Sequence, residues 1–352
     1  MSEKVTIIDV ARRAGVSKGT VDRVLHNRGE VAAKSAEKVR KAIEELGFKP
    51  NVHASLLASR KDQIVVCLMP EFTEGEYWGN LYNGFMESVD MVAALSIRVD
   101  IRLYAQYDSS SFVHVCNEVL ESRPAGVIIV PLFPLETMDF VRQLKNNDIP
   151  YMYVDHKLQE DDSYLAYIGM PLYKSGLLCA ALLTERCRPE EVDKVAVVRI
   201  KRDLAGKSDP TSDRRAGFMD YMREHFPGAD LRTVQVNPHD RGGIDSTLDK
   251  FFSGFGEVRY IVMLNSRINL ISDYLASHPV EGRRVIGFDS IPSNLRMLDR
   301  GVVDILIAQH TEVQSRHAVQ CLADYLVMKK CPAERDTYMH MDILTRLNQE
   351  YY

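Results

Sequence analysis

Residues 5–31 read VTIIDVARRAGVSKGTVDRVLHNRGEV, and the spacing of their apolar positions predicts two short helices joined by a tight turn. Thr6 can cap the first helix with Asp9 three positions on, and Ile7, Val10, Ala11 and Ala14 then share one face. Gly15 stops that helix, and Ser17 can cap a second one whose inward face is Val21, Val24 and Leu25. A third helix is expected from about 33 to 46, with Ala36, Val39, Ile43 and Leu46 inward and Gly47 closing it. This is helix-turn-helix spacing. In such a unit the N-terminal end of the second helix enters the DNA major groove, because an α-helix fits its width. Lys18, Gly19, Thr20, Asp22 and Arg23 occupy that end.

Charge separates this segment from the rest of the chain. Residues 1–61 hold 13 Lys and Arg against 7 Asp and Glu, a balance of +6, whereas residues 62–352 hold 31 against 42, a balance of −11. A small basic module ahead of a large acidic body suggests an anionic polymer as partner for the first and something else for the second. With 352 residues, 45% hydrophobic and 26% charged, the chain is long enough for two or three domains and too apolar for wholesale disorder. No apolar run approaches the roughly 18 residues of a membrane span, and the charged N-terminus lacks a signal-peptide core, so a cytoplasmic protein without membrane contact is expected. Six cysteines without a C-x-x-C pair fit reduced thiols.

From residue 63 the pattern changes to short β-branched runs at 63–69, 97–104, 126–130, 151–154, 194–200, 232–236, 260–264, 284–288 and 305–308, most of them separated by helix-length segments. That alternation predicts doubly wound α/β units with enough strands for two parallel sheets. Ligands in such folds sit beyond the carboxyl ends of the strands. The residues there include Tyr77 and Trp78, Asp155, Asn265, Asp289 and Gln309. An aromatic face beside hydroxyl-reading polar groups is the chemistry of sugar recognition, and a basic cluster of Arg199, Lys201, Arg202, Lys207 and Arg214 would suit a carboxylate or phosphate. GKS at 206–208 is discounted as a phosphate loop, since the first glycine of that motif would fall at Lys201. The ten histidines show no ligand spacing and no catalytic fingerprint occurs, so no catalytic residue, metal site, cofactor or enzyme activity is expected.

The run 5–31, followed by EKVRKAIEELGFKPN at 37–51, closely resembles the DNA-binding head of the lactose repressor (LacI/GalR) family of bacterial transcription regulators. The resemblance extends over the whole chain through RRAGF at 214–218, similar to that family's R-x-x-G-F, and VIGFDS at 285–290. It implies an all-α helix-turn-helix head (1–50), a hinge helix or linker (51–61) and a two-lobed periplasmic-binding-protein-like core (62–352), with lobe 1 at about 62–166 plus 310–334 and lobe 2 at about 167–309 plus 335–352. The implied function is a ligand-responsive repressor that binds operator DNA as a homodimer; the C-terminal LNQEYY carries no tetramerising heptads. Lys18 and Gly19 would read bases with Arg23 in support, Thr20, Asn27 and Lys34 would hold phosphates, and Thr6 and Ser17 would cap the reading helices. Asn51 would start the hinge helix, Ala54 would pack on the dimer mate and Leu57 would wedge into the minor groove. The effector, a sugar or sugar acid, would meet Arg214, Asn265, Asp289, Asp155 and Gln309, with Tyr77 and Trp78 as an aromatic wall. Four positions depart from the pattern: Gly19 offers no side chain, Asp22 stands for a usual serine, Ala32 for a Ser or Thr cap, and Ser266 for a common Asp. Met170-Pro171 likewise replaces a polar Asp, which points to a less polar or differently shaped ligand. A solute-binding sensor could use the same body, but the basic head and the missing signal sequence speak against it.

Overall fold

The computed structural model describes residues 7–25, 32–46, 63–201 and 211–352, and the chain divides into two compact units, Met1–Arg60 and Lys61–Tyr352. The expected roles of Thr6, Asn27, Asn51, Ala54 and Leu57 fall outside the described residues, as do Arg202 and Lys207.

In the first unit α1 (Ile7–Ala14), α2 (Lys18–Leu25) and α3 (Ala33–Glu45) close around Val10, Ala11, Ala14, Val21, Val39 and Ala42. The third helix turns Ala42 into this core and leaves Ala36 half-buried, a shift of the expected stripe. Gly15 takes φ +65°, the left-handed conformation that ends α1 at least cost. The Ser17 hydroxyl accepts the Thr20 amide at 3.1 Å and so caps α2. Ala32, in contrast, gives α3 no side-chain cap.

The second unit holds two six-stranded sheets. The first contains β1 (Gln63–Pro70), β2 (Ile97–Tyr104), β3 (Gly126–Ile129), β4 (Tyr151–Asp155) and β5 (Tyr167–Gly169), connected through α4 (Tyr77–Ala93), α5 (Ser109–Ser122) and α6 (Pro134–Asn146). After α7 (Leu172–Leu183), the second contains β6 (Lys194–Ile200), β7 (Asp230–Val236), β8 (Tyr260–Met263), β9 (Arg284–Phe288) and β10 (Ile305–Ala308), with α8 (Ser212–His225), α9 (Arg241–Phe255), α10 (Asn269–Ser277) and α11 (Pro292–Asp299) between them. The chain ends through α12 (Thr311–Met328), β11 (Asp336–Tyr338) and β12 (Asp342–Leu344). The orders are β11-β5-β4-β3-β1-β2 and β12-β10-β9-β8-β6-β7, parallel throughout except for the antiparallel pair β10 and β12. Six of the eight residues of β1, and every residue of β3, β4 and β8, are buried, which is why parallel strands covered by helices on both faces read as unbroken apolar runs.

The nine expected strands all form. The lobe boundary differs from the sequence reading: β5 and β11 pair with the first sheet, so the chain crosses after Gly169 rather than at 166, and returns to the second lobe after Tyr338 rather than at 334. Three-residue strands pairing at a sheet edge leave no periodic signature, and their partners alone define them. The chain passes between the lobes three times: from β5 to α7, which packs on α8; from β10 to α12, which packs on α4; and from β11 to β12.

The α7–α8 contact depends on reciprocal glycines. A Cβ on Gly176 would lie 1.9 Å from the Arg214 carbonyl oxygen, and one on Gly217 2.0 Å from that of Tyr173. Glycine here is required by close backbone approach. An exposed helix would gain up to about 1 kcal/mol from Gly→Ala, whereas overpacking against a neighbouring backbone costs roughly 1–3 kcal/mol or more. The clash therefore wins: Gly217→Ala is expected to lower the melting temperature of the chain in a thermal unfolding scan, and an unchanged or raised value would refute the contact.

Candidate functional site

Both sheets share one strand pattern, in which the direction of winding reverses between β1 and β3 in the first and between β6 and β8 in the second. A crevice opens where neighbouring connections leave to opposite faces. The carboxyl ends of the two sheets line a single cavity of about 500 Å³. Tyr77, Trp78, Asp155, Arg214, Asn265, Asp289 and Gln309 all lie on its wall. Tyr77 and Trp78 open α4. Their rings meet edge to face at 4.8 Å.

Arg214 sits in the first turn of α8 and is only 5% exposed. Its Nε donates to Ser175 Oγ at 3.0 Å, its Nη1 to the Leu264 carbonyl at 2.7 Å, and its Nη2 faces Met170 Sδ at 3.5 Å. The guanidinium lies over the Phe288 ring, 3.9 Å from its centre. Met170 thus supplies a soft sulfur contact to the arginine where an aspartate would have supplied an oxygen. Asn294 completes the frame by donating from Nδ2 to the carbonyls of Ser266, Phe288 and Asp289, which ties the ends of β8 and β9 together.

Two aspartates face the cavity from equivalent positions, Asp155 at the end of β4 and Asp289 just after β9. Each adopts φ +70°, a left-handed backbone that costs a non-glycine residue about 1–2 kcal/mol and is tolerated best by Asp and Asn. The Tyr77 hydroxyl donates to Asp155, and His156 Nδ1 lies 2.5 Å from Asp155 Oδ2. Burial works to raise the Asp155 pKa, but the His156 contact and the Tyr77 hydrogen bond hold it below the usual carboxylate value. Asp289 differs, because burial pushes it up to about 7 against the pull of Arg214 and a 2.9 Å hydrogen bond from Gln309 Nε2. The Oε1 of Gln309 is buried and has no hydrogen-bond partner among the described residues.

The same cavity collects residues not singled out from sequence, among them Glu76, Gln106, Arg241, Arg267 and Arg296. Gln106 follows β2 and Arg267 follows β8, so the strand-end rule reaches both; Arg241 and Arg296 belong to helices and only the fold brings them in. The wall is accordingly more polar than the Met170-Pro171 substitution suggested. Arg267 joins the lobes, paired with Glu76 at 3.1 Å and donating to Gln106 at 3.2 Å. Gln159 reaches Asp213 at 2.9 Å, and the Tyr107 and His239 rings meet at 4.6 Å, also across the cleft. Of the sequence-derived basic cluster, Arg199 and Arg214 line the cavity and Lys201 is exposed outside it.

In the first unit Lys18, Gly19 and Arg23 are exposed along α2, with Arg23 Nε donating to the Gly19 carbonyl at 3.2 Å. Thr20 is half-buried with its hydroxyl 2.9 Å from that of Ser17, so it supports the cap as well as the face. Asp22 lies in the same helix and Lys34 is exposed in the first turn of α3. Among the described residues no helix is long and apolar enough to cross a membrane, and no group of three His, Cys, Asp or Glu converges to hold a metal.

Comparison with known proteins agrees with both units. Residues 65–330 match the periplasmic binding protein domain, and residues 6–51 match the lacI family of bacterial regulatory proteins. The chain is 25% identical over 154 residues to the HTH-type transcriptional regulator MalR of Streptococcus pneumoniae, covering 44% of this chain and 46% of that one. It is 31% identical over 150 residues to the ribose operon repressor of Lactococcus lactis, covering 43% and 42%. The matched stretches thus span under half the length of these relatives. A Bacteroides fragilis protein assigned to the LacI transcriptional regulators superposes with a TM-score of 0.76 at 30% identity, covering 83% of this chain and all of the other. The chain belongs to the LacI family of bacterial regulatory proteins, with a periplasmic-binding-protein domain as its body.

Proposed function

We propose that the chain is a sequence-specific DNA-binding transcription regulator, a repressor acting in the cytoplasm as a homodimer, whose operator affinity is set by a sugar or sugar acid bound between the two lobes. It is a binding protein in this reading and not an enzyme. The observation that carries it is the convergence of Arg214, Asp155, Asp289, Asn265 and Gln309 with the Tyr77–Trp78 pair on one interlobe cavity, in a chain that also bears an exposed Lys18–Arg23 helix. Carboxylates and an open amide oxygen accept from hydroxyls, the arginine and asparagine donate, and an aromatic ring covers an apolar sugar face. A ligand that favours the closed lobes shifts the equilibrium between two states of the protein, and differential affinity for those states is what couples it to DNA. The name of the Lactococcus relative, a ribose operon repressor, accords with a sugar as effector.

The direct test is selection of binding sites from random DNA with the full chain, followed by fluorescence anisotropy with and without a sugar panel. A selected site bound at least about 10³-fold tighter than random DNA supports the reading; no selectivity overturns it. Lys18→Ala is expected to weaken the selected site and to flatten the fall of affinity with salt, because each phosphate or base contact by a cation releases counterions. Arg214→Lys keeps the charge but not the planar fork that reaches Ser175 and Leu264 together, so effector response should be lost while anisotropy still reports DNA binding. Ionisation of Asp289 gives a further check. Its folded pKa of about 7 lies above the ordinary 3.8, so its protonated form stabilises the fold fully below pH 4 and that contribution disappears as pH rises towards and through 7. The melting temperature of the native chain, measured against Asp289→Asn, should therefore decline between pH 5 and pH 8.

A further inference from the structure

The two walls of the cleft carry opposite charge. All five arginines on the cavity come from the second lobe, while Glu74, Glu76 and Asp155, three of its four carboxylates, come from the first. Three of the arginines are already engaged: Arg267 is paired with Glu76, Arg214 has donors directed at Ser175, Leu264 and Met170, and Arg199 at the end of β6 has an interaction of its own. The remaining two are Arg241 at the start of α9 and Arg296 on α11. Arg241 and Arg296 are exposed and form no ion pair with a described residue. The amide end of α9 is already occupied, since Asp240 accepts from Gly243 at 2.9 Å, so the positive character here belongs to the guanidinium groups themselves. Deeper in the cleft the demand is reversed: Asp155 and the Oε1 of Gln309, which has no hydrogen-bond partner among the described residues, are acceptors that call for donors, and Asp289 can donate or accept.

We propose that the effector is a polyhydroxylated molecule with an anionic group, a phosphate or a carboxylate, which Arg241 and Arg296 hold on the second-lobe wall while its hydroxyls face the buried polar groups. This rests on the reading of the cleft as a sugar-derivative site and specifies the ligand's charge and orientation. Arginine forks match both oxyanions in paired hydrogen bonds. A neutral sugar would satisfy the buried polar groups and leave the guanidinium groups of Arg241 and Arg296 without an ion pair among the described residues.

The test is isothermal titration of the full chain with matched sets on one carbon skeleton: D-glucose, D-glucuronate and D-glucose 6-phosphate, with the galactose series and the pair ribose and ribose 5-phosphate alongside. For at least one skeleton an anionic member should bind on the order of tenfold or more tightly than its neutral parent, and the paired substitution Arg241→Gln with Arg296→Gln should bring that ratio close to one. Preference for the phosphate or for the carboxylate identifies the anion, and either outcome supports the assignment. A neutral parent that binds as tightly as its anionic partners overturns the anion subsite and leaves the sugar reading standing. A ratio unchanged in the double variant overturns the assignment to these arginines. Absence of binding by every member overturns both readings.

Discussion

Burying the guanidinium of Arg214 is the constraint around which the second lobe is organised. A cation taken out of water costs several kcal/mol unless its charge and its donors are met. Here the partners come from four directions: a hydroxyl of α7, the carbonyl after β8, the ring of Phe288 at the end of β9, and the fields of Asp289 and Asp155. Meeting them fixes where those strand ends lie. It also demands that α7 and α8 approach until backbone touches backbone, which Gly176 and Gly217 permit. The short motif R-x-x-G-F therefore joins two physical requirements on successive turns of one helix, a charge to be buried and a gap to be closed.

The lobes answer each other in chemistry as well as in strand order. Asp155 and Asp289 occupy corresponding strand ends with the same left-handed backbone, yet their surroundings separate them. His156 and Tyr77 keep the first ionised, while burial leaves the second poised near neutrality. Two carboxylates of one origin thus present different faces to a ligand, one a fixed acceptor and the other able to donate or accept.

Much of this was legible from residue order. The helix-turn-helix follows from caps, Gly15 and apolar spacing, all local features, and the central strands are apolar runs because both their faces are covered, whereas β2 and β7 at the sheet edges alternate. The residues beyond those strands gave six of the seven cavity positions from which the site was first inferred, and the R-x-x-G-F motif gave Arg214. Legibility failed where partners define the feature. The strands β5, β11 and β12 are only three residues long, and Tyr77 begins a helix whose cap residue Glu76 makes no side-chain cap bond. Arg241 and Arg296 lie on helices that only the sheet order carries to the cleft, so their charges look like solvated surface in the sequence.

The threefold crossing of the chain bears on how the protein comes into being. Ala318, Val319, Leu322, Ala323 and Leu326 of α12 belong to the core of the first lobe, although that lobe's first strand begins at Gln63. On the ribosome, the first lobe must wait with an unfilled groove while β6 to β10 of the second sheet are made, and contacts of such long sequence separation form slowly. The second lobe, by contrast, lacks only the edge strand β12 once β10 has emerged. The order of synthesis therefore favours the later-made half as the earlier to close, and the first lobe is completed by residues that arrive near the end.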